Sequence, residues 1–503
     1  MNLGNFIGPA YCGRVQEVAF ERCLNLYLER TEVPGGKYEY ALIGTPGTVD
    51  IPAWTFDGPI RGMYTASRDG KMYVVAGSKL YRMPTSEQDP PAYLGAISNL
   101  STPVQMVDDG RYLGIVDGST LYVMDLTDIA SGFTTPLVGQ KVKPNSIAFI
   151  QGVTYVNNTY ADPTIKQPLT SALIYFSNLG DMSQWFLHVE GVTDDPNNIM
   201  FLDGKSNYPV LRMIRTSDRV FSFSARAFEV YAPSGDPNAP LASVGGSLND
   251  IGIYAPNSAA VLADKAYWLG TTIHGGLSVY RSEGYNAERI STHGIEYQLN
   301  KIDCSDAIGW TTEFEGHKWY VLTMKGSDVS FVWDETSQSW HEAASRVAAT
   351  DKQTIWDPIY ATSVGKETYV GSALANRILR LDLDTYAEWD GRPIKRVRSG
   401  PIVWDDLKMV HHITLQLDMH GGNGTLNGQG RDPMVMMRYS DDCGETWSDE
   451  EWETSGRVGQ YTSRVRWNRL GYAYNRIYEV TITDPVKVQL IGANVVTNSA
   501  SRQ

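Results

Sequence analysis

Ser440, Asp442, Gly444, Thr446 and Trp447 follow the spacing Ser-x-Asp-x-Gly-x-Thr-Trp, the turn motif called an Asp box. Its chemistry is local. The aspartate carboxylate accepts from backbone N–H groups that follow it, the glycine permits a left-handed turn, and the tryptophan packs the hairpin down. Hydrolysis of a glycosidic bond requires something different, two carboxylates facing each other across the substrate. The adjacent pairs Asp108-Asp109, Asp405-Asp406 and Asp441-Asp442 cannot supply that on strands, where neighbouring side chains point to opposite faces. The motif is therefore expected to be a structural turn, and no residue is assigned a catalytic role.

In sialidases such boxes occur several times and accompany an arginine cluster with a Tyr/Glu pair, whereas here one box lies near the C-terminus. Other candidates for chemistry are weaker. His411 and His412 fall on opposite faces of a strand, and with His420 they find no Cys or acidic residue at a recognised metal-ligand spacing. The loop HGGNGTLNGQGRD, residues 420–432, lacks both nucleotide-binding glycine patterns. Cys12, Cys23, Cys304 and Cys443 form no C-x-x-C pair, which fits a reduced intracellular chain without a disulfide framework or zinc site. No cofactor is expected. Two basic islands remain, RPIKRVRSG at 392–400 and SRVRWNRLGYAYNR at 463–476. Arg464, Arg466 and Arg469 are candidates to contact phosphates or a partner's carboxylates; the plainer reading is a solvated strand face with Val465 and Trp467 turned inward.

These residues sit in a chain of 503 with a net charge of -14, which argues against gripping nucleic acid by phosphate neutralisation. The first residues show no basic segment followed by an apolar run, and no stretch approaches a membrane span, so neither export nor membrane insertion is expected. Aromatic residues make up 11%, and 47 Gly with 24 Pro punctuate runs of Val, Ile, Tyr and Thr. That is the composition of many short strands.

MYVVAGSKLYRM at 72–83 and LGIVDGSTLYVM at 113–124 superimpose with a shift of 41, matching Gly77 to Gly118, Ser78 to Ser119, Leu80 to Leu121, Tyr81 to Tyr122 and Met83 to Met124. Each copy is a strand, a glycine turn and a strand. Looser copies lie at 219–231, 266–281, 318–334 and 367–384, and a degenerate one between VTYVNN and ALIYFS. Recurrence every 40 to 50 residues or so is the period of β-propeller blades, with paired β-sandwiches as the competing arrangement. The expected fold is all-β: a propeller of six or seven blades over 56–390, an extended N-terminal arm over 1–55, and a β-sandwich over 391–503. In the arm, Leu24, Leu26 and Leu28 alternate along one face of a strand. Lacking a hairpin partner, that strand is expected to dock on a neighbouring subunit or on the adaptor.

The C-terminal run RVRWNRLGYAYNRIYEVTITDPVKVQLIGANV resembles the closing segment of the tail hub proteins of short-tailed bacteriophages (podoviruses), the packaged-DNA stabilisation or tail accessory factor family. LNLYLE followed by TPG, GSKLYR, FEVYAPSGDPNAPL and IGIYAPNSAAVLADKAYWLG agree in order, so the likeness spans most of the chain. It implies a structural virion protein rather than an enzyme, assembled in the host bacterial cytoplasm. Such a protein forms a homo-oligomeric ring, taken as a hexamer, below the portal or head-to-tail adaptor, and closes the DNA exit. It holds tail spikes or fibres and a needle or nozzle, and conducts double-stranded DNA without reading its sequence. A propeller glycosidase and a non-catalytic receptor-binding tail protein are the alternatives.

Overall fold

The computed structural model describes residues 3–499 apart from 4–5, 16–18, 32–38, 99–100, 138–141, 160–172, 186–198, 202–208, 238, 273, 348 and 407. The repeated hairpins are the middle strands of propeller blades. Met72–Ala76 pairs with Lys79–Arg82 and Tyr112–Val116 with Leu121–Asp125, in the same register relative to their turns. Gly77 and Gly118 make those turns at φ 56° and 88°, a region that L side chains rarely enter, which is why the repeat keeps a glycine there. The degenerate copy is also real. Val153–Asn157 pairs with Leu173–Phe176 despite the long insertion between them.

Among the described residues these hairpins belong to seven blades, six of them built from consecutive strands and the seventh completed from elsewhere. Its strands Pro358–Val364, Glu367–Ser372 and Arg377–Asp382 are joined at the outer edge by Gly47–Thr55, with Leu381 opposite Thr48. The ring is thus fastened by a strand from within residues 1–55. Innermost strands, such as Ile60–Thr65, Gln105–Asp108, Ile147–Ile150, Arg212–Arg215 and Pro358–Val364, touch their neighbours in turn around the axis. Between blades lie aromatic and aliphatic cores, for example Phe221, Phe223, Phe228 and Trp268 between the fourth and fifth.

The sandwich stacks two sheets. One runs Arg396–Ser399, Asn475–Ile482, Met434–Ser440 and Glu451–Thr454; the other runs Leu26–Arg30, Tyr40–Gly44, Gln489–Ser499, Val410–Met419 and Val465–Ala473. Leu415, Leu417, Val465, Trp467, Val480 and Val495 fill the space between them.

Residues 1–55 differ from the expected arm in two ways. Their strands find partners inside their own chain: Leu24 pairs with Glu342 of the sixth blade on one side and Val397 of the sandwich on the other, and Leu26–Arg30 with Tyr40–Gly44 completes the second sandwich sheet. Nor do Leu24, Leu26 and Leu28 share one face. Asn25 takes φ 53° and breaks the strand with a bend, so Leu24 enters the propeller core while Leu26 and Leu28 enter the sandwich core.

Candidate functional site

The central joint is built on Asn25, which is buried and whose left-handed conformation an asparagine tolerates better than most residues. Its amide donates to the carbonyls of Ala344 in the sixth blade and Lys395 before the sandwich, both at 2.9 Å, and its oxygen accepts from the Ala344 N–H at 2.9 Å. One side chain therefore ties both units. Tyr27, two residues on, inserts between blades, its ring 4.8 Å from that of His317 and 5.3 Å from that of Trp319. His317 Nδ1 lies 2.7 Å from the carboxylate of the fully buried Asp334. Burial pushes the neighbouring His341 down to about 4, keeping it neutral in this aromatic cluster.

The same joint consumes the first basic island. Arg396 and Arg398 are buried, and Arg398 Nε donates to the Phe6 carbonyl at 2.7 Å. Arg392 pairs with Glu388 at 3.0 Å and Asp390 at 2.5 Å. Around them Arg22 pairs with Glu342 at 2.8 Å, and burial pushes the thiols of Cys12 and Cys23 up to about 12 and about 11, so neither is a ready nucleophile.

The family models match in the same two pieces that this joint connects. Residues 25–386 match the model described as "Bacteriophage P22 Gp10, beta-propeller", and residues 395–498 the one described as "Bacteriophage P22 Gp10, beta-sandwich". The chain belongs to the P22 Gp10 family. It is a phage tail hub protein of the kind that stabilises packaged DNA. No curated protein matches it. Solved structures of similar shape include the N-terminal domain of Nup159, at 12% identity, covering 72% of this chain and 99% of that one, with a TM-score of 0.41. Another is the extracellular domain of the one-component system BT4673 from B. thetaiotaomicron, at 10% identity and 83% and 48% coverage, TM-score 0.42. YCF48 bound to a D1 peptide gives 12%, 70% and 99%, TM-score 0.36.

In this Gp10-family chain the Asp box lies on the sandwich, between Met434–Ser440 and Glu451–Thr454. Asp442 Oδ1 accepts from the Ser440 hydroxyl at 2.7 Å and the Thr446 N–H at 2.8 Å, and Oδ2 accepts from the Thr446 hydroxyl. Gly444 N–H donates to Ser440 Oγ at 2.7 Å, with Cys443 and Gly444 both at positive φ. The Thr446 bonds above all hold the Asp442 carboxyl down at about 2. Trp447 does not enter the hairpin core. It is half-buried, with the Arg438 guanidinium 4.5 Å over its ring and Phe20 of the N-terminal segment 5.9 Å away. Arg438 in turn pairs with the buried Glu479, whose other oxygen accepts from Ser399 at 2.9 Å. The box is a clamp that leads to the joint.

Arg464, Arg466 and Arg469 are all exposed, flanking the buried Val465 and Trp467 on the edge strand Val465–Ala473. Arg466 donates to Gln416 at 2.6 Å, and Arg469 takes φ 63°. The histidines part company: His411 stacks on Tyr472 at 4.3 Å, while the buried His412 meets the Tyr478 hydroxyl at 2.7 Å and His420 lies exposed. Sequence reasoning missed Asn25, whose only signal was an Asn interrupting an alternating run. It also missed the exposed aromatics Trp404, Tyr472 and Tyr474, gathered where Val403–Trp404, Val465–Ala473 and Asn475–Ile482 meet.

Proposed function

We propose that this hub acts as one subunit of a homo-oligomeric ring, a hexamer, fixed to the portal or its adaptor, carrying spikes or fibres and a needle or nozzle. DNA would run through the lumen enclosed by the subunits, in the virion, after assembly in the host cytoplasm. The observation that carries the routing is the state of the propeller's own channel. Gln105 of the second blade accepts from Ser146 Oγ and Ile147 N of the third at 3.1 and 3.0 Å, and its amide reaches the Met213 carbonyl of the fourth at 3.5 Å. These bonds, with the contacts between neighbouring innermost strands, draw the blades together around the axis. The duplex is accordingly routed between copies rather than along the axis of a single propeller.

Within such a ring, the joint makes each subunit a single stiff body able to bear the load of confined DNA. The Asp box serves as a turn and clamp, without catalysis. The exposed arginines face acidic partner surfaces, where they gain only if desolvated. Retention is mechanical: with a net charge of -14, the isolated protein should bind linear duplex no more tightly than roughly 10⁻⁴ to 10⁻⁶ M at physiological salt. Electron microscopy of tails or of protein mixed with portal and adaptor tests the reading. A ring of copies on the tail axis with an open lumen is expected; monomers attached at the periphery would overturn it.

A further inference from the structure

A cavity of about 410 Å³ opens between the third and fourth blades. One wall belongs to the core these blades share, with Ile150, Val153, Tyr155 and Phe176. Another is Pro233, Pro237 and Pro240, from the hairpin in which Phe228–Asp236 pairs with Ala239–Ser243. Each proline ring fixes its own φ, so that wall resists collapse. The rim is fastened as well: Gly180 N–H donates to the Gly152 carbonyl at 2.7 Å and Ser177 N–H to the Thr154 carbonyl at 2.8 Å. A cavity held open in this way costs a ligand little ordering on entry.

Two side chains around it lack the company their chemistry calls for. Tyr155 is 1% exposed and lines the cavity, yet its hydroxyl makes no hydrogen bond among the described residues, and burial alone raises its pKa. A buried phenol ordinarily finds a partner. At the rim Leu179 is 76% exposed, with its side chain lying over Gly152. A lone exposed leucine needs no explanation, but this one borders a cavity. Charge narrows the ligand further. The described lining holds one acidic residue, Asp236, and no Lys, Arg or His, so a phosphate or carboxylate finds no cation there.

We propose that this cavity is a docking pocket for a Trp or Tyr side chain carried on a neutral or basic segment of a partner protein. Its volume lies at the small end of ligand pockets, about 300–1,000 Å³, which suits one ring rather than a cofactor. Aromatic and proline walls pack against a flat ring, and the polar edge of an indole or phenol gives the Tyr155 hydroxyl its missing bond. A free small molecule would fill the cavity and leave Leu179 bare. A polypeptide covers both, with the leucine as the rim that excludes water. The pocket stands whether or not copies of the chain form a ring.

Calorimetric titration of the full chain with blocked peptides tests it, the probe being Ala-Leu-Trp-Lys-Ala and its versions with Phe or Ala in place of Trp and Glu in place of Lys. Wild type should bind the Trp peptide saturably, one per chain, the Phe and Glu versions several-fold more weakly, and the Ala version not at all. Tyr155→Phe, which keeps the ring, should bind the Trp peptide no better than the Phe peptide. Leu179→Ala changes an exposed side chain; it should weaken the Trp peptide several-fold while leaving N-acetyltryptophan amide unaffected, and it carries the test if Tyr155→Phe does not fold. No binding to wild type, or a preference for Trp over Phe that survives in Tyr155→Phe, would overturn the pocket. So would N-acetyltryptophan amide binding as tightly as the peptide, which would make this a small-molecule site. Self-association of the chain that both variants abolish would put a second copy there instead.

Discussion

Residues 392–400 and residues 463–476 read alike, as basic runs broken by apolar residues, yet they end in opposite environments. Arg396 and Arg398 are sealed within the joint, while Arg464, Arg466 and Arg469 lie in solvent. The difference is not in the strands themselves but in what covers them. Arg396–Ser399 is paired with the Cys23–Leu24 strand on one edge and Asn475–Ile482 on the other, and all four of its residues are buried. Among the described residues Val465–Ala473 is an edge strand paired only with Val410–Met419, and its alternate residues are exposed. A long-range partner, supplied more than 300 residues away, decides whether an arginine is surface charge or internal framework.

The contrast can be broken most severely at the residue that brings the partner in. Asn25→Ala removes three hydrogen bonds, two of them buried, takes a donor from the Lys395 carbonyl, and puts an ordinary side chain at φ 53°. A loss of about 3–5 kcal/mol is expected in urea unfolding. Asn25→Gly should recover only the backbone part of it. Next comes Arg438→Ala, which leaves the buried Glu479 without its cation; allowing for Arg438 being about a third exposed, roughly 2–3 kcal/mol should be lost, measurable in the same assay.

Acid separates the joint from the surface turn. His341 and His412 are held by burial near 4, below the unfolded value of about 6.5, so the unfolded chain takes up protons first and stability falls as pH drops from about 6.5 toward 4. Asp442, with a folded value of about 2 against 3.8, acts lower: its contribution is complete above about pH 4 and disappears as pH falls toward 2. Melting curves across pH should show both windows, and Asp442→Ala should flatten only the lower one. The smallest effect belongs to the exposed island. Changing Arg464, Arg466 and Arg469 together to Ala should move stability by no more than about 0.5 kcal/mol per site and leave weak duplex binding unchanged in a salt titration. Submicromolar binding in the parent, removed by those changes, would make the second island a DNA grip.

The middle strands of the blades were legible because they carry the most apolar runs and are joined by short glycine turns, so Tyr81 and Tyr122 announce the repeat directly. First and last strands of each blade were not. They are short or polar, as in Phe133–Thr134 and Asn286–Arg289, and their identity depends on the ring. The seventh blade's outer strand could not be read locally, since Gly47–Thr55 precedes the blade it closes by some 300 residues. In the second basic island, the inward Val465 and Trp467 were visible in alternation; in the first, the strand that pairs beside Arg396 and Arg398 was not, because a two-residue strand leaves almost no pattern. The Asp box was legible down to individual hydrogen bonds, as expected of a motif that bonds within itself.

The pairing of Leu42 with Leu490 sets a timetable for making the hub. The Tyr40–Gly44 strand shares a sheet with one synthesised more than 400 residues after it, and the Cys23–Leu24 strand must wait for both the sixth blade and the residues after it. Contacts of such long sequence separation form late and slowly. A prematurely terminated chain therefore lacks the sandwich sheet that its own beginning requires, and exposes unpaired strand edges that invite chaperone capture or degradation. Only complete chains would offer a finished surface, which gives a particle built from several identical parts a form of proofreading before assembly begins.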